Sequence, residues 1–119
     1  MKMQVGPAPD NIARYADMFR ALGSESRLRV VRLLLSAHPQ GLVVGEIQKA
    51  LGTSPSTLSH HLERLRHVRL VTVKRESTFL RYSVNAPVLQ DLLSFLVSEC
   101  CSRNRAVRPD VVLEICRGC

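Results

Sequence analysis

Between Thr53 and Tyr82 a polar-capped, basic helical pattern is followed at once by two short alternating runs rich in β-forming residues. That order sets the frame into which the rest of the chain must fit. Ser54 can cap free amides, and Pro55 suits the first helical position, where its missing N–H costs no bond. The helix reads to about His67. Leu58, Leu62 and Leu65 recur at i, i+4 and i+7 as one apolar stripe, which leaves Ser56, Thr57, Ser59, His60, Glu63 and Arg64 outward. Hydroxyls near a helix N-terminus can meet phosphates or base edges, and Arg and His reach further, so this face suits a major groove. Taken alone, the pattern fits a solvated amphipathic helix equally well.

The next segment shifts the balance. Leu70 to Arg75 and Phe79 to Val84 are β-rich runs across a three-residue polar tip, Glu76-Ser77-Thr78, and read as a hairpin. From residue 60 to 82, Arg64, Arg66, Arg69, Lys74, Arg75 and Arg81 stand against Glu63 and Glu76 only. A basic helix followed by a basic hairpin is the reading end of a winged helix-turn-helix. The residues expected at DNA are Ser54, Ser56, Thr57, Ser59, His60 and Arg64 on the helix and Lys74, Arg75 and Arg81 on the wing.

The upstream sequence fits this frame. Residues 1–8 read as a flexible leader, and 9–105 as one DNA-binding and dimerisation domain. A first helix runs from Pro9 to about Leu22, with Ile12, Ala16 or Tyr15, Phe19 and Leu22 on the expected core face, and Gly23 ends it. Ser24 caps a second helix to about Ser36, with Leu28, Val31, Leu34 and Leu35 inward and Arg27, Arg29 and Arg32 solvated. After the breaker His38-Pro39-Gln40-Gly41, a short helix from Val44 to Leu51 closes at Gly52. Short helix, tight Gly turn and polar-faced helix complete the helix-turn-helix signature. The expected class is mainly α with a small β-hairpin.

Downstream, Asn85-Ala86-Pro87 opens a last helix whose Val88, Leu89, Leu92, Leu93, Phe95, Leu96 and Val97 cover more than one stripe. The surplus implies a second subunit, with a thicker monomer core as the other reading. A homodimer through the first and last helices would present two reading helices to double-stranded DNA carrying an inverted repeat, with half-sites about one turn apart. A formal net charge of +7 on 119 residues favours a polyanion. No run approaches the roughly 18 to 20 apolar residues of a membrane span, and no signal-peptide pattern opens the sequence, so a cytoplasmic protein with no membrane partner is expected. There is no nucleophile, base and orienter set and no Gly-rich phosphate loop, which sets enzymes aside.

From about residue 10 to 101 the chain resembles the ArsR/SmtB family of small dimeric winged-helix repressors, which release DNA on binding a metal or metalloid. The resemblance rests on Ala21-Leu22-Gly23-Ser24-Glu25-Ser26-Arg27-Leu28-Arg29, on Ser56-Thr57-Leu58-Ser59-His60-His61-Leu62, and on Leu70-Val71-Thr72-Val73-Lys74-Arg75-Glu76 entering the wing. Where the family usually has Gly at the wing tip, Ser77 stands here, which implies a wider turn. Two of the family's common effector sites are missing. Val43, Gly45 and Gln48 occupy the cysteine positions before the reading helix, and no His follows His67. His38, His60, His61 and His67 give no convergent set, and His61 reads as a residue that fixes the reading helix.

All four cysteines fall in the last twenty residues, as Cys100-Cys101 at the end of the last helix and Cys116-x-x-Cys119 in a tail spanning 106–119. Arg103, Arg105 and Arg117 favour the thiolate form, and such soft ligands select thiophilic species over magnesium or calcium. Similarity to arsenic-responsive repressors with a Cys-Cys pair in this helix implies arsenite or antimonite as inducer, held by three sulfurs, the third from Cys116 or Cys119. No cofactor is expected for DNA binding itself. A tetrathiolate site for zinc, cadmium or lead and a thiol redox switch remain the alternatives.

Overall fold

A computed structural model of the protein describes residues 8–99. Cys100, Cys101, Cys116 and Cys119, and with them the expected thiol site and tail, lie outside the described residues. The described residues up to Asn85 form one compact unit and those from Ala86 a second.

Local signals in the sequence set most of the element ends. Helix α1 (Ala8–Leu22) stops where Gly23 follows, and Ser24 then caps α2 (Glu25–Ser36), its hydroxyl accepting the Arg27 N–H at 3.3 Å. The Arg27 Nε reaches back to the Ala21 carbonyl at 2.6 Å and ties the two helices at their junction. A two-residue strand β1 (Leu42–Val43) leads directly into α3 (Val44–Leu51). Valine cannot cap, but the Glu46 carboxylate three residues on accepts the Val43 N–H at 3.0 Å and satisfies one orphan donor. Gly52, at φ 64, closes α3 in the left-handed conformation, its N–H donating to the Gln48 carbonyl. Helix α4 (Pro55–His67) begins at the Ser54 cap with Pro55 in its first turn, as the sequence implies.

Strands β2 (Val71–Glu76) and β3 (Phe79–Val84) pair antiparallel from Val71 opposite Val84 to Glu76 opposite Phe79. Only Ser77 and Thr78 separate them, so the tip is a tight two-residue turn, not the wider one expected. Ser77 takes the left-handed conformation, φ 58, that such a turn demands and that glycine would adopt without strain. On its other edge β3 pairs with β1, Leu42 opposite Tyr82 and Val43 opposite Arg81, giving a three-stranded antiparallel sheet in the order β1-β3-β2. This third strand has no counterpart in the sequence reading. Two residues carry no detectable alternation, and the pairing depends on a partner some forty positions away.

The core of this first unit is built from Tyr15, Met18 and Ala21 of α1, Val30, Val31 and Leu34 of α2, Ile47 of α3, and Leu58, Leu62 and Leu65 of α4. Leu70, Val71, Tyr82 and Val84 close it from the sheet. Two expected faces are corrected. On α1 the inward stripe is Tyr15, Met18 and Ala21, while Ile12 is 53% and Phe19 37% exposed. The helix carries two apolar stripes, and periodicity cannot say which one meets α2 and α4. On α2, Leu28 is 46% exposed and Val30 takes its place, because the packed side is the one turned to α3, α4 and β3.

The second unit contributes one described helix, α5 (Ala86–Glu99). Leu96 is exposed on it, and Val88, Leu89, Leu93, Phe95 and Val97 are half-buried. No helix among the described residues is long and apolar enough to cross a membrane.

Candidate nucleic-acid interface

With Leu58, Leu62 and Leu65 fully buried, the 100° step of the helix turns Ser56, His60 and Glu63 to the side directly opposite, with Thr57 and Arg64 on one flank and Ser59 on the other. All six are exposed. Ser54 is committed to the helix start. Its Oγ accepts the Thr57 N–H at 3.4 Å and lies 2.9 Å from the Thr57 hydroxyl, so both side chains are held at the tip of α4. Glu63, the acidic residue of this face, is bonded to Arg66, and that hydrogen bond holds its carboxyl below the usual range. The pair cancels locally. Arg64, Arg69, Lys74 and Arg75 are exposed and make no ion pair among the described residues.

His61 differs from its neighbour His60. It is half-buried, and its Nδ1 is enclosed without a hydrogen-bond partner. It lines a cavity of about 270 Å³ with Glu25, Ser26, Arg29, Val30, Leu51 and Thr53. Burial, then the charge of Arg27, then His60, push its pKa down and disfavour the charged ring. It sits beside the buried leucine stripe of α4, on the side away from Ser59, and not on the exposed face that carries His60.

The wing divides its charge between two faces. Strand alternation places Lys74 on the outer face, directly opposite Arg81, and Arg75 on the core-side face, opposite Leu80. Two like charges in register repel. Arg81 is drawn off this contact. Its Nε donates to the Glu76 carboxylate at 2.9 Å and its Nη1 to the Gly41 carbonyl at 3.2 Å, and the bond to Glu76 raises its pKa further. Arg81 therefore links Glu76 of β2 to Gly41, the residue before β1, and has fewer N–H groups left for phosphate than Arg75, which makes no ion pair among the described residues. Sequence reasoning missed this brace because Gly41 and Arg81 meet only through the β1–β3 pairing.

A short helix, a Gly52 turn, a capped polar-faced helix and a basic two-stranded wing define a winged helix-turn-helix protein. A helix-turn-helix domain family matches residues 22–74. The chain is 30% identical over 95 residues to the transcriptional activator HlyU of Vibrio cholerae, covering 80% of this chain and 85% of that one. It is also 30% identical over 107 residues to a probable mercury resistance operon repressor of Streptomyces lividans, covering 90% and 79%. Among solved structures, the homodimeric winged helix-turn-helix domain of Mb0332 from Mycobacterium bovis, described as a possible ArsR-family regulator, aligns with a TM-score of 0.65 at 26% identity over 83% of this chain and 90% of that one. The chain belongs to the ArsR family of winged helix-turn-helix transcriptional regulators.

Proposed function

We propose that the protein is a homodimeric repressor that holds an inverted-repeat operator and leaves it when trivalent arsenic binds its C-terminal thiolates. The observation that carries the DNA-binding half is the face of α4. Ser56, Thr57, Ser59, His60 and Arg64 stand exposed around one helical surface whose single carboxylate is already paired. In this reading they meet base edges and nearby phosphates, and Lys74 and Arg75 neutralise phosphate beside them. Ser54 acts by fixing the helix tip, and Arg81 by stiffening the wing.

The sensing half rests on the donor set. Cys100, Cys101, Cys116 and Cys119 offer thiolate sulfur without imidazole or carboxylate, which suits arsenite or antimonite, and three of them fill a pyramidal trivalent centre. Four thiolates also suit a divalent soft metal such as zinc, cadmium or lead, and the similarity to a probable mercury resistance repressor favours keeping that second reading.

The experiment is a titration of the reduced full chain bound to an operator selected from random duplexes. Arsenite, antimonite, cadmium, zinc, lead, mercury and peroxide are added in parallel and release is followed by fluorescence anisotropy. Arsenite and antimonite are expected to release DNA, and Cys100→Ser or Cys101→Ser protein to stay bound at the same concentrations. Release by a divalent metal alone would replace arsenic with the second reading. Release by peroxide alone would make the thiols a redox switch.

A further inference from the structure

Phe79 has no role in the core. It is the first residue of β3, directly across the Ser77-Thr78 turn from Glu76, and at 61% exposure it is more exposed than any other large apolar side chain among the described residues. The packed face of the hairpin is that of Val71, Tyr82 and Val84, whereas alternation puts Phe79 on the other face with Arg81 and Ser83. An aromatic ring this exposed at the tip of the wing stabilises nothing inside the unit.

Its surroundings indicate what covers it. Lys74 and Arg75 stand just behind the tip without ion-pair partners among the described residues, so the ring leads a cationic ribbon, which matches a polyanion better than an apolar protein surface. From Val71 to the tip, β2 advances five steps of about 3.3 Å, roughly 17 Å, which is about half a turn of B-DNA, the separation of a major groove from the adjoining minor groove. Paired strands lie about 4.8 Å apart before side chains are added, while the minor groove is only about 6 Å wide. The whole ribbon is too thick to enter, but one ring is not.

We propose that Phe79 is an apolar wedge that the wing sets into the minor groove, where it lies against sugar walls and partly unstacks one base step in each half-site. The inference rests on the DNA-binding reading given above. A wedge of this kind opens the groove and favours steps that unstack easily, so it reads deformability where no polar side chain touches a base. Pyrimidine–purine steps are preferred. Because no counterion is released by a phenyl ring, its contribution does not depend on salt, unlike that of Lys74 and Arg75.

The test uses the reduced full chain and operator duplexes in which 2-aminopurine replaces adenine, one position at a time, through each half-site and its flank. The parent protein is expected to raise fluorescence at one step per half-site. Phe79→Ala should abolish that rise and weaken operator binding about tenfold, with the slope of log affinity against log salt unchanged. Phe79→Leu keeps an apolar wedge and should retain most of both. The melting temperatures of the variants should match the parent, since the ring is exposed. The wedge is overturned if the parent binds operator with no fluorescence change at any position, or if Phe79→Ala binds as the parent does. It is also overturned if the loss in Phe79→Ala comes with an altered salt slope or a changed sedimentation mass, which would make the ring a contact between copies. A parent that binds no duplex at all would overturn the DNA-binding reading together with the wedge.

Discussion

Replacing Gly41 and Gly52 by alanine separates two costs that glycine conceals. Both residues have positive φ, 78 and 64, so an added Cβ carries a backbone penalty of about 1 to 2 kcal/mol at either site. At either site, too, alanine restricts the unfolded chain and returns about 0.4 to 1 kcal/mol. The surroundings differ. Around Gly52 an added Cβ meets nothing within 4 Å, so the net loss should be about 1 kcal/mol or less. At Gly41 the Cβ would press into the Tyr82 carbonyl oxygen and stand 2.9 Å from Ser83 Cβ. The obstacle is backbone of the central strand, and it cannot swing aside as a flexible side chain would. Relief requires β1 to separate from β3, which undoes the Leu42–Tyr82 and Val43–Arg81 pairing and withdraws the Gly41 carbonyl from Arg81. We expect Gly41→Ala to cost about 3 kcal/mol or more, a large share of the roughly 5 to 15 kcal/mol typical of small domains. Urea unfolding followed by circular dichroism reads both variants. With a slope of about 1 to 3 kcal/mol per molar urea, Gly41→Ala should lower the midpoint by about 1 M or more and Gly52→Ala by a few tenths. Equal shifts in the two variants would refute the claim that packing against Tyr82, rather than φ, makes Gly41 necessary.

Two further outcomes follow from local geometry. Ser77→Gly removes left-handed strain at φ 58 while adding unfolded-state freedom, so a gain of about 0.5 kcal/mol in urea unfolding is expected, and a loss would count against strain at the tip. His61 has its folded pKa pushed below the unfolded value, so the unfolded chain binds the extra proton; stability is complete above about pH 6.5 and declines as pH falls through the folded pKa. His61→Gln should therefore lose less stability than the parent between pH 7.5 and pH 5, and identical pH dependences would show that His61 is not the group responsible.

Helix α4 was legible because everything that defines it is local. Ser54, Pro55 and the leucines at 58, 62 and 65 lie within a dozen residues, and their order alone gives the start, the buried side and the exposed side. The wing strands were legible for the same reason, since Val71, Thr72 and Val73 in one and Phe79, Tyr82 and Val84 in the other are β-formers clustered on either side of a polar tip. Where a residue's role depends on the choice between two partners, the sequence was silent. Helix α1 has Ile12, Ala16 and Phe19 on one stripe and Tyr15, Met18 and the small Ala21 on the next, and both satisfy a helical period. Burial selects the second, on which the Ala21 carbonyl also receives Arg27. The wing tip was misjudged for a related reason. Ser in place of Gly implies a looser turn if conformational preference is decisive, but the register from Val71–Val84 to Glu76–Phe79 leaves only two residues to turn in, and Ser77 takes the strained φ. Sheet pairing overrode the residue's own preference.

The β1–β3 pairing, invisible to periodicity, bears directly on how DNA binding can be controlled. Val43 ends β1 and is the residue before α3, so the strand that borders the wing runs without a break into the helix that precedes the reading helix. Arg81 fastens this continuity by reaching from β3 to Gly41 on one side and to Glu76 near the tip on the other. Helix α4 shares the buried leucines with Leu70 and Val71 at the foot of β2. Helix-turn-helix and wing are therefore one braced reading head, in which moving the wing against α4 would break sheet bonds, the Arg81 brace and core contacts together. An effector bound elsewhere would have to overcome all of these to disable a single head. In the proposed dimer, displacing two intact heads relative to each other would break none of them, and on half-sites about one DNA turn apart a small change in head spacing would take both reading helices out of register at once. If arsenic does release this protein from its operator, the braced head favours release by altered spacing over release by a melted wing.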